Sequence, residues 1–131
     1  MSAVYLDSSA FLKLIVEETE SAAVRTFLAN RDARRVSSAL LRTESLRAVR
    51  NLGPDAVGTV REGLRRVDLV GIDDRILDAA GTLEPMVLRT LDAIHLATAI
   101  AVGDDLDVVM TYDDRMVEAA RLLGLATATP R

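Results

Sequence analysis

Short apolar runs alternate with helix-like stretches along the whole 131-residue chain. The runs predict strands at 3–6, 36–38, 67–72, 108–111 and 125–129, and helical periodicity fills the segments between them. The first of these segments predicts two helices, over 8–18 and 20–30. No two-residue hairpin turn joins consecutive strands, so each connection crosses over the sheet. The pattern predicts an α/β fold with a central parallel sheet of four to five strands and helices on both faces.

The length is that of one ordinary domain, so we expect residues 1–131 to form a single domain with one core. Half of the residues are hydrophobic, but no window approaches the ~18 uninterrupted apolar residues of a membrane span. The chain has no cysteine, which excludes thiolate catalysis, cysteine zinc sites and a disulfide framework. Without a membrane span or a charged-then-apolar leader, we expect a soluble, cytoplasmic protein.

The formal net charge is -4, whereas a protein that binds nucleic acid over a broad surface usually has a strong basic excess. Any nucleic-acid contact must therefore be local. The four aromatic residues are too few for base-stacking platforms, which disfavours RRM and OB-type folds. Six arginines can either guide nucleic-acid phosphates or lie on ordinary solvated helix faces: Arg31, Arg34, Arg35, Arg61, Arg65 and Arg66.

Two acidic residues directly follow predicted strands. The first strand ends on Asp7, after which small hydroxyl residues lead into a helical pattern, and Asp113 follows the fourth strand through Thr111 and Tyr112. In open α/β sheets the ligand crevice lies just outside the carboxyl ends of the strands, so both acids are site candidates. The structural alternatives are a helix N-cap for Asp7 and a favourable helix-dipole position for Asp113.

Two further acids interrupt helical rows that are otherwise apolar. Glu44 lies in an i+4 row and Asp92 heads another; the remaining members of these rows are Leu40, Ala48, Leu52, Leu96 and Ile100. An acid in such a row predicts an inward-facing carboxylate. Here too a structural alternative exists, because Glu44 can pair with Arg42 or Arg47, and Asp92 lies in a first helical turn. His95, one turn beyond Asp92, is interpreted as a packing residue.

These four acids can converge on one crevice at the edge of the sheet. Carboxylates brought together repel one another and stay ionised only if a cation compensates them, so a divalent metal is the natural partner. Hard oxygen ligands, with no cysteine and a single histidine, favour Mg²⁺ or Mn²⁺ over zinc. By contrast, the acidic loop 104–107 lacks the glycine and distal glutamate of an EF-hand and is interpreted as solvated surface.

Four segments carry a family signature. They are Val4-Tyr5-Leu6-Asp7-Ser8-Ser9-Ala10; Ser37-Ser38 with Glu44 a few residues on; Leu91-Asp92-Ala93-Ile94-His95-Leu96-Ala97-Thr98-Ala99; and Thr111-Tyr112-Asp113 with the following helix and Gly124-Leu125. In this order and spacing they closely resemble a PIN domain, in particular the VapC toxins of VapBC toxin–antitoxin systems. The resemblance spans nearly the whole chain and implies the PIN-like three-layer α/β fold.

The resemblance also implies an activity, which is that of a Mg²⁺-dependent endoribonuclease in which Mn²⁺ can substitute. Its acidic quartet would be Asp7, Glu44, Asp92 and Asp113, which hold the metal, with Ser9 and Thr111 as supporting hydroxyls. Asp114, next to Asp113, can also contribute. The implied partners are an RNA substrate, a cognate VapB-type antitoxin whose C-terminal segment lies over the groove, and a second copy of the chain in a homodimer.

Two other functional classes are considered. A receiver-like or haloacid-dehalogenase-like phosphotransfer domain needs an acid two residues after Asp7 or beside it, and a lysine late in the chain. Ser9 occupies the first position and Lys13 is the sole lysine, so this class fits poorly. The alternative that stays open is a non-catalytic metal- or partner-binding α/β module.

Overall fold

A computed structural model describes residues 1–131 and contains one five-stranded sheet. The strands are β1 (Ala3–Leu6), β2 (Arg34–Ser38), β3 (Asp68–Val70), β4 (Leu106–Met110) and β5 (Thr127–Ala128). Their order in the sheet is β3-β2-β1-β4-β5 and every pairing is parallel. The predicted parallel α/β architecture is therefore confirmed, with all five strands present and β1 at the centre.

Seven α-helices connect and cover the strands. They are α1 (Ser8–Leu12), α2 (Ser21–Ala29), α3 (Leu40–Val49), α4 (Pro54–Leu64), α5 (Asp74–Gly81), α6 (Thr90–Val102) and α7 (Asp114–Leu122). The helix predicted over 8–18 ends at Leu12, because the next amides, Lys13 and Leu14, bond to carbonyls three residues back and tighten the chain into turns. None of these helices combines the length and apolar character needed to cross a membrane.

The central strand separates two apolar layers. Val4 and Leu6 of β1 pack into the larger cluster on one face, whereas Tyr5 packs with Ala99 of α6 on the other face, as the two-residue period of a strand requires. All of β1 is buried, and α6 is buried without interruption from Ala93 to Ala99. Because all strands are parallel, the carboxyl ends of β1, β2 and β4 reach the same edge of the sheet.

Candidate active site at the carboxyl edge of the sheet

Asp7 lies directly after β1 and its side chain is only 4% exposed. Its Oδ1 accepts hydrogen bonds from the Ala10 backbone N–H (3.0 Å) and the Ser9 hydroxyl (2.6 Å), and its Oδ2 accepts from the Thr111 hydroxyl (2.5 Å). Burial raises the pKa of Asp7, and the hydrogen bonds from Ser9 and Thr111 act in the opposite direction. Asp7 therefore does cap α1, but it is also a buried carboxylate at the edge of the sheet.

The two hydroxyl residues named from the sequence join β1 to β4. Ser9 Oγ accepts from the Tyr112 backbone N–H at 2.9 Å, and Thr111 Oγ1 accepts from the Asp113 backbone N–H at 3.1 Å. Asp113 then caps α7, its Oδ1 accepting from the Arg115 N–H at 2.9 Å. This network brings the two strand-end acids to the same edge and fixes the loop that carries the second.

Asp92 is partly exposed in the first turn of α6. Burial is the largest cause that raises the pKa of its carboxyl, followed by the negative charges of Asp113 and Asp7, and Glu44 adds a smaller effect in the same direction. Asp92 therefore feels the charge of all three other candidate acids. Asp113 is among the charges that raise the pKa of Asp92, whereas its neighbour Asp114 is exposed.

Glu44 occupies a different position from the one its helical row predicted. The buried residues of α3 are Leu41, Ser45 and Val49, whereas Ala48 and Leu52 are exposed, so the inward-facing row was misidentified. Glu44 lies on the flank of the helix with its side chain 20% exposed. Its Oε1 contacts His95 Nε2 at 2.6 Å, and neither Arg42 nor Arg47 pairs with it.

His95 is the residue whose contacts the sequence did not reveal. It is 1% exposed, as a packing residue should be, but both ring nitrogens have polar partners. Nε2 contacts Glu44, and Nδ1 lies 2.7 Å from the Tyr5 hydroxyl. The only available sequence signal was a histidine one turn from an acid on an apolar helix; the second partner, Tyr5, lies 90 residues away in the chain.

Comparisons with known proteins identify the family of the chain. Residues 4–122 match the family model described as PIN domain. The chain belongs to the PIN domain family.

Among curated relatives, this PIN domain is 53% identical to Ribonuclease VapC46 of Mycobacterium tuberculosis, with 99% of each chain covered. It is 42% identical to Ribonuclease VapC35 of the same species, covering 97% of this chain and 96% of the relative. Among solved structures, a toxin–antitoxin complex from Klebsiella pneumoniae contains a chain with a TM-score of 0.76 and 21% identity, covering 99% of this chain and 98% of that one. The relatives thus belong to the VapC ribonucleases, and the structural neighbour supports the fold.

The donor set of this PIN domain suits a hard divalent cation. All four acids offer carboxylate oxygens, and their mutual repulsion at Asp92 is the condition that a cation relieves. No group of three or more Asp, Glu or His side chains is arranged to hold a single ion. The fit therefore lies in the chemistry and charge of the donors rather than in a preformed coordination shell.

The charge of this PIN domain is unevenly distributed along the chain. Residues 34–66 contain eight arginines and three acids, a net +5, whereas the other 98 residues contain eight basic and 17 acidic residues, a net -9. The basic segment consists of β2 and the two helices α3 and α4, and α3 also carries Glu44. We call residues 40–66 the basic hairpin. A chain with a net charge of -4 thus has one basic segment, and this segment also carries Glu44 of the candidate site.

The structure places four of the six arginines whose role the sequence left undecided. Arg31 pairs with Asp107, and Arg34 lies 3.6 Å from Asp68 and 3.6 Å from Asp105, at the amino edge of the sheet. In the basic hairpin, Arg61 and Arg65 line a cleft of about 220 Å³ together with Arg42 and Leu64. Arg42 and Arg61 form no salt bridge, and the exposed Arg65 has only Glu62 at 3.2 Å. The cleft in the basic hairpin therefore carries positive charge that nearby acids compensate only at Arg65.

Proposed function

We propose that this PIN domain is a divalent-metal-dependent endoribonuclease, the toxin of a VapBC toxin–antitoxin pair. Its metal would be held by Asp7, Glu44, Asp92 and Asp113, with Mg²⁺ as the resident ion and Mn²⁺ able to substitute. The single observation that carries the proposal is the charge coupling of Asp92 to the other three acids at the edge where parallel α/β sheets bind ligands. The name of the 53% identical relative, Ribonuclease VapC46, supports the choice of substrate.

Hydrogen bonds within the site hold the two strand-end acids in place for the reaction. Ser9 and Thr111 donate to Asp7 and hold its carboxylate in one orientation, while the cap at Asp113 holds the second strand-end acid on a fixed loop. When bound, a divalent ion supplies Lewis-acid activation of the phosphodiester and of the attacking water. No protein nucleophile is required, which agrees with a chain that contains no cysteine.

The basic hairpin is suited to the RNA backbone. Four carboxylates repel a phosphodiester, so an acidic site needs separate positive groups to bring the substrate in. Arginine is well matched to phosphate oxygens because its planar guanidinium donates several hydrogen bonds in a fixed geometry. We therefore assign RNA backbone binding to the cleft of Arg42, Arg61 and Arg65.

The protein partners follow from the same family. Solved structures similar to this chain include a toxin–antitoxin complex from Klebsiella pneumoniae and VapBC2 from Rickettsia felis, which supports a VapB-type antitoxin as the inhibitor. We propose that its C-terminal segment lies over the acidic groove, that the toxin is a homodimer, and that the pair acts in the cytoplasm.

Cleavage of total cellular RNA tests the function directly. We expect the purified protein to cut RNA in Mg²⁺ or Mn²⁺ and to stop when a chelator is added, because the carboxylates alone cannot activate the phosphodiester. Asp113→Asn should lose at least about a hundredfold in rate. It keeps the α7 cap, since Asn caps a helix as well as Asp does.

The neighbouring acid provides the matched control for this experiment. Asp114→Asn changes the charge by the same amount one residue away, on an exposed side chain, and should cleave within about twofold of the wild-type rate. Equal activity of both variants would remove Asp113 from the site. Cleavage that persists in chelator would overturn the metal-dependent mechanism.

The arginine cleft can be tested by the salt dependence of RNA binding. In an Asp7→Asn background, which prevents cleavage, the double variant Arg42→Gln/Arg61→Gln should bind single-stranded RNA roughly tenfold more weakly. The slope of log Kd against log salt should fall by about 1.4, because each lost single-strand phosphate contact contributes about 0.7. Arg31→Gln/Arg34→Gln removes the same charge at the opposite edge and should leave the slope unchanged. Equal effects of the two pairs would exclude a specific role for the hairpin.

A non-catalytic module that binds a metal or a partner through the same acids is the remaining alternative. It shares the fold and the charge cluster but predicts no RNA cleavage under any metal condition. The chelator experiment separates the two functions. If the protein binds Mn²⁺ and a VapB-type peptide yet leaves all RNA intact, the binding module is the better description.

A further inference from the structure

His95 connects the acidic site to the buried core through hydrogen bonds on both sides of its ring. Its Nε2 lies 2.6 Å from Glu44 Oε1, and its Nδ1 lies 2.7 Å from the Tyr5 hydroxyl. The Tyr5 oxygen in turn lies 3.1 Å from the Ser38 backbone nitrogen. Tyr5 and His95 are at most 1% exposed, so this chain of contacts is shielded from water up to Glu44.

The shorter contact of His95 decides which ring nitrogen carries a proton. Without a proton on Nε2, two acceptors would lie against each other at 2.6 Å, so Nε2–H donates to the Glu44 carboxylate. The Tyr5 oxygen accepts from the Ser38 backbone N–H, which can only donate, and its hydroxyl contacts His95 Nδ1 on the other side of the ring.

We propose that His95 is a positioning residue that fixes the carboxylate of Glu44 in the acidic site, an inference that rests on the proposed function. A glutamate side chain has three rotatable bonds, and on the flank of a helix without a partner it samples several rotamers. The bond from His95 engages Oε1 and leaves Oε2 without a protein donor. In metal sites, a hydrogen-bonded partner often orients the residue that binds the metal. His95 orients the Glu44 carboxylate in this way, while the Tyr5 hydroxyl holds the His95 ring.

The positions of Tyr5, His95 and Glu44 in the fold indicate that His95 does more than fill space in the core. Tyr5 lies two residues before Asp7 on the same face of β1, and His95 lies three residues after Asp92 on the same helix. The two elements that carry Asp7 and Asp92 therefore also hold Glu44, which comes from α3. An apolar residue of similar size would fill the space at position 95 but would leave Glu44 unconnected to both.

The first test reads the tautomer by NMR in chelator, so it does not depend on enzymatic activity. His95 is the sole histidine, and its ring nitrogens are therefore unambiguous in a long-range ¹H–¹⁵N spectrum. We expect a proton on Nε2 in the wild type. In Tyr5→Phe, which removes only the hydroxyl, we expect the Nδ1 resonance to move because that nitrogen loses its hydrogen-bond partner. An Nε2 without a proton in the wild type, or an unchanged Nδ1 resonance in Tyr5→Phe, would overturn this chain of hydrogen bonds.

The second test separates hydrogen bonding from packing by Mn²⁺ titration and kinetics. His95→Leu fills the space without a donor and should weaken Mn²⁺ affinity and lower kcat by about 10- to 100-fold, with KM for RNA within about twofold. His95→Gln can still donate to Glu44 and should recover most of the loss. Thr98→Val is the control in the buried part of the same helix. It removes a hydroxyl that bonds only to the Ile94 carbonyl, so its Mn²⁺ affinity and kcat should match those of the wild type.

The outcomes distinguish this inference from the proposed function. A folded His95→Leu with wild-type Mn²⁺ affinity, or a Gln variant as impaired as the Leu variant, would overturn the positioning role alone. If the wild type neither binds Mn²⁺ nor cuts RNA, the proposed function fails, although the tautomer experiment still reports on the hydrogen bonds. Should His95→Leu fail to fold in chelator, Tyr5→Phe provides the same Mn²⁺ and kcat readouts.

Discussion

Asp7→Asn is expected to abolish RNA cleavage while leaving the protein folded and more stable without metal. Loss of one carboxylate from the metal site should cost several kcal/mol of transition-state stabilisation, which corresponds to about a thousandfold in rate. The amide keeps an oxygen for the α1 cap, and its nitrogen faces the Thr111 hydroxyl, which can accept a hydrogen bond as well as donate one. Rate and thermal unfolding in chelator are the measurements.

The gain in stability follows from the raised pKa of the buried Asp7 carboxyl. An acid whose pKa is raised by folding costs stability at neutral pH, and this cost disappears below its ordinary value of 3.8. At neutral pH the free energy of unfolding of the variant should therefore exceed that of the wild type by roughly 1 kcal/mol, which corresponds to about 3–5 °C in Tm. This difference in stability should disappear in acid. A stability difference that grows in acid would show that the ionised Asp7 carboxyl does not destabilise the wild type.

Asp73→Asn is the matched control because it makes the same substitution at the cap of a different helix, α5, outside the acidic quartet. Asp73 caps α5, its Oδ1 accepting from the Ile76 N–H at 3.0 Å, but it is exposed. Asn and Asp are equivalent caps, so activity and stability should both stay within about 0.5 kcal/mol of the wild type. Full cleavage by Asp7→Asn would remove Asp7 from the site, whatever its effect on stability.

The sequence predicted the fold and the strand-end acids because both depend on local patterns. Alternation of apolar runs with helical periodicity fixes the class, and a parallel sheet brings the carboxyl ends of β1 and β4 to one edge. The positions of Asp7 and Asp113 at the strand ends therefore followed from local patterns alone, and the hydroxyls of Ser9 and Thr111 donate to Asp7, although their role in a site stays a prediction.

The orientation of Glu44 and its contact with His95 could not be predicted from local sequence patterns. The row Leu40, Glu44, Ala48 predicted an inward face, but tertiary packing of α3 buries the adjacent row that contains Leu41 and Ser45. The structural alternative for Glu44, a pair with Arg42 or Arg47, is not what the structure shows, because its partner His95 lies 51 residues away in the sequence. Periodicity reports which positions share a helix face but not which face the rest of the protein covers.

Saturating Mn²⁺ or Mg²⁺ should stabilise the wild-type protein by an amount that depends on Asp92. At a hundred times Kd, a ligand that binds only the folded state adds about 2.7 kcal/mol, which for a chain of this length is roughly 10 °C in Tm. Burial and then the negative charges of Asp113 and Asp7 raise the pKa of the Asp92 carboxyl, and a bound cation would relieve the part that the two acids cause. Asp92→Asn should therefore lose most of the metal-induced shift at the same metal concentration.

The control for this last measurement must separate site binding from screening of surface charge. KCl at matched ionic strength screens all exposed acids alike and should shift Tm by little. Asp104→Asn, in the exposed acidic loop, should retain the full metal-induced shift. A wild type that metal does not stabilise beyond KCl would argue against the acidic quartet as a metal site. An equal shift in Asp92→Asn and Asp104→Asn would instead show that Asp92 is not one of its ligands.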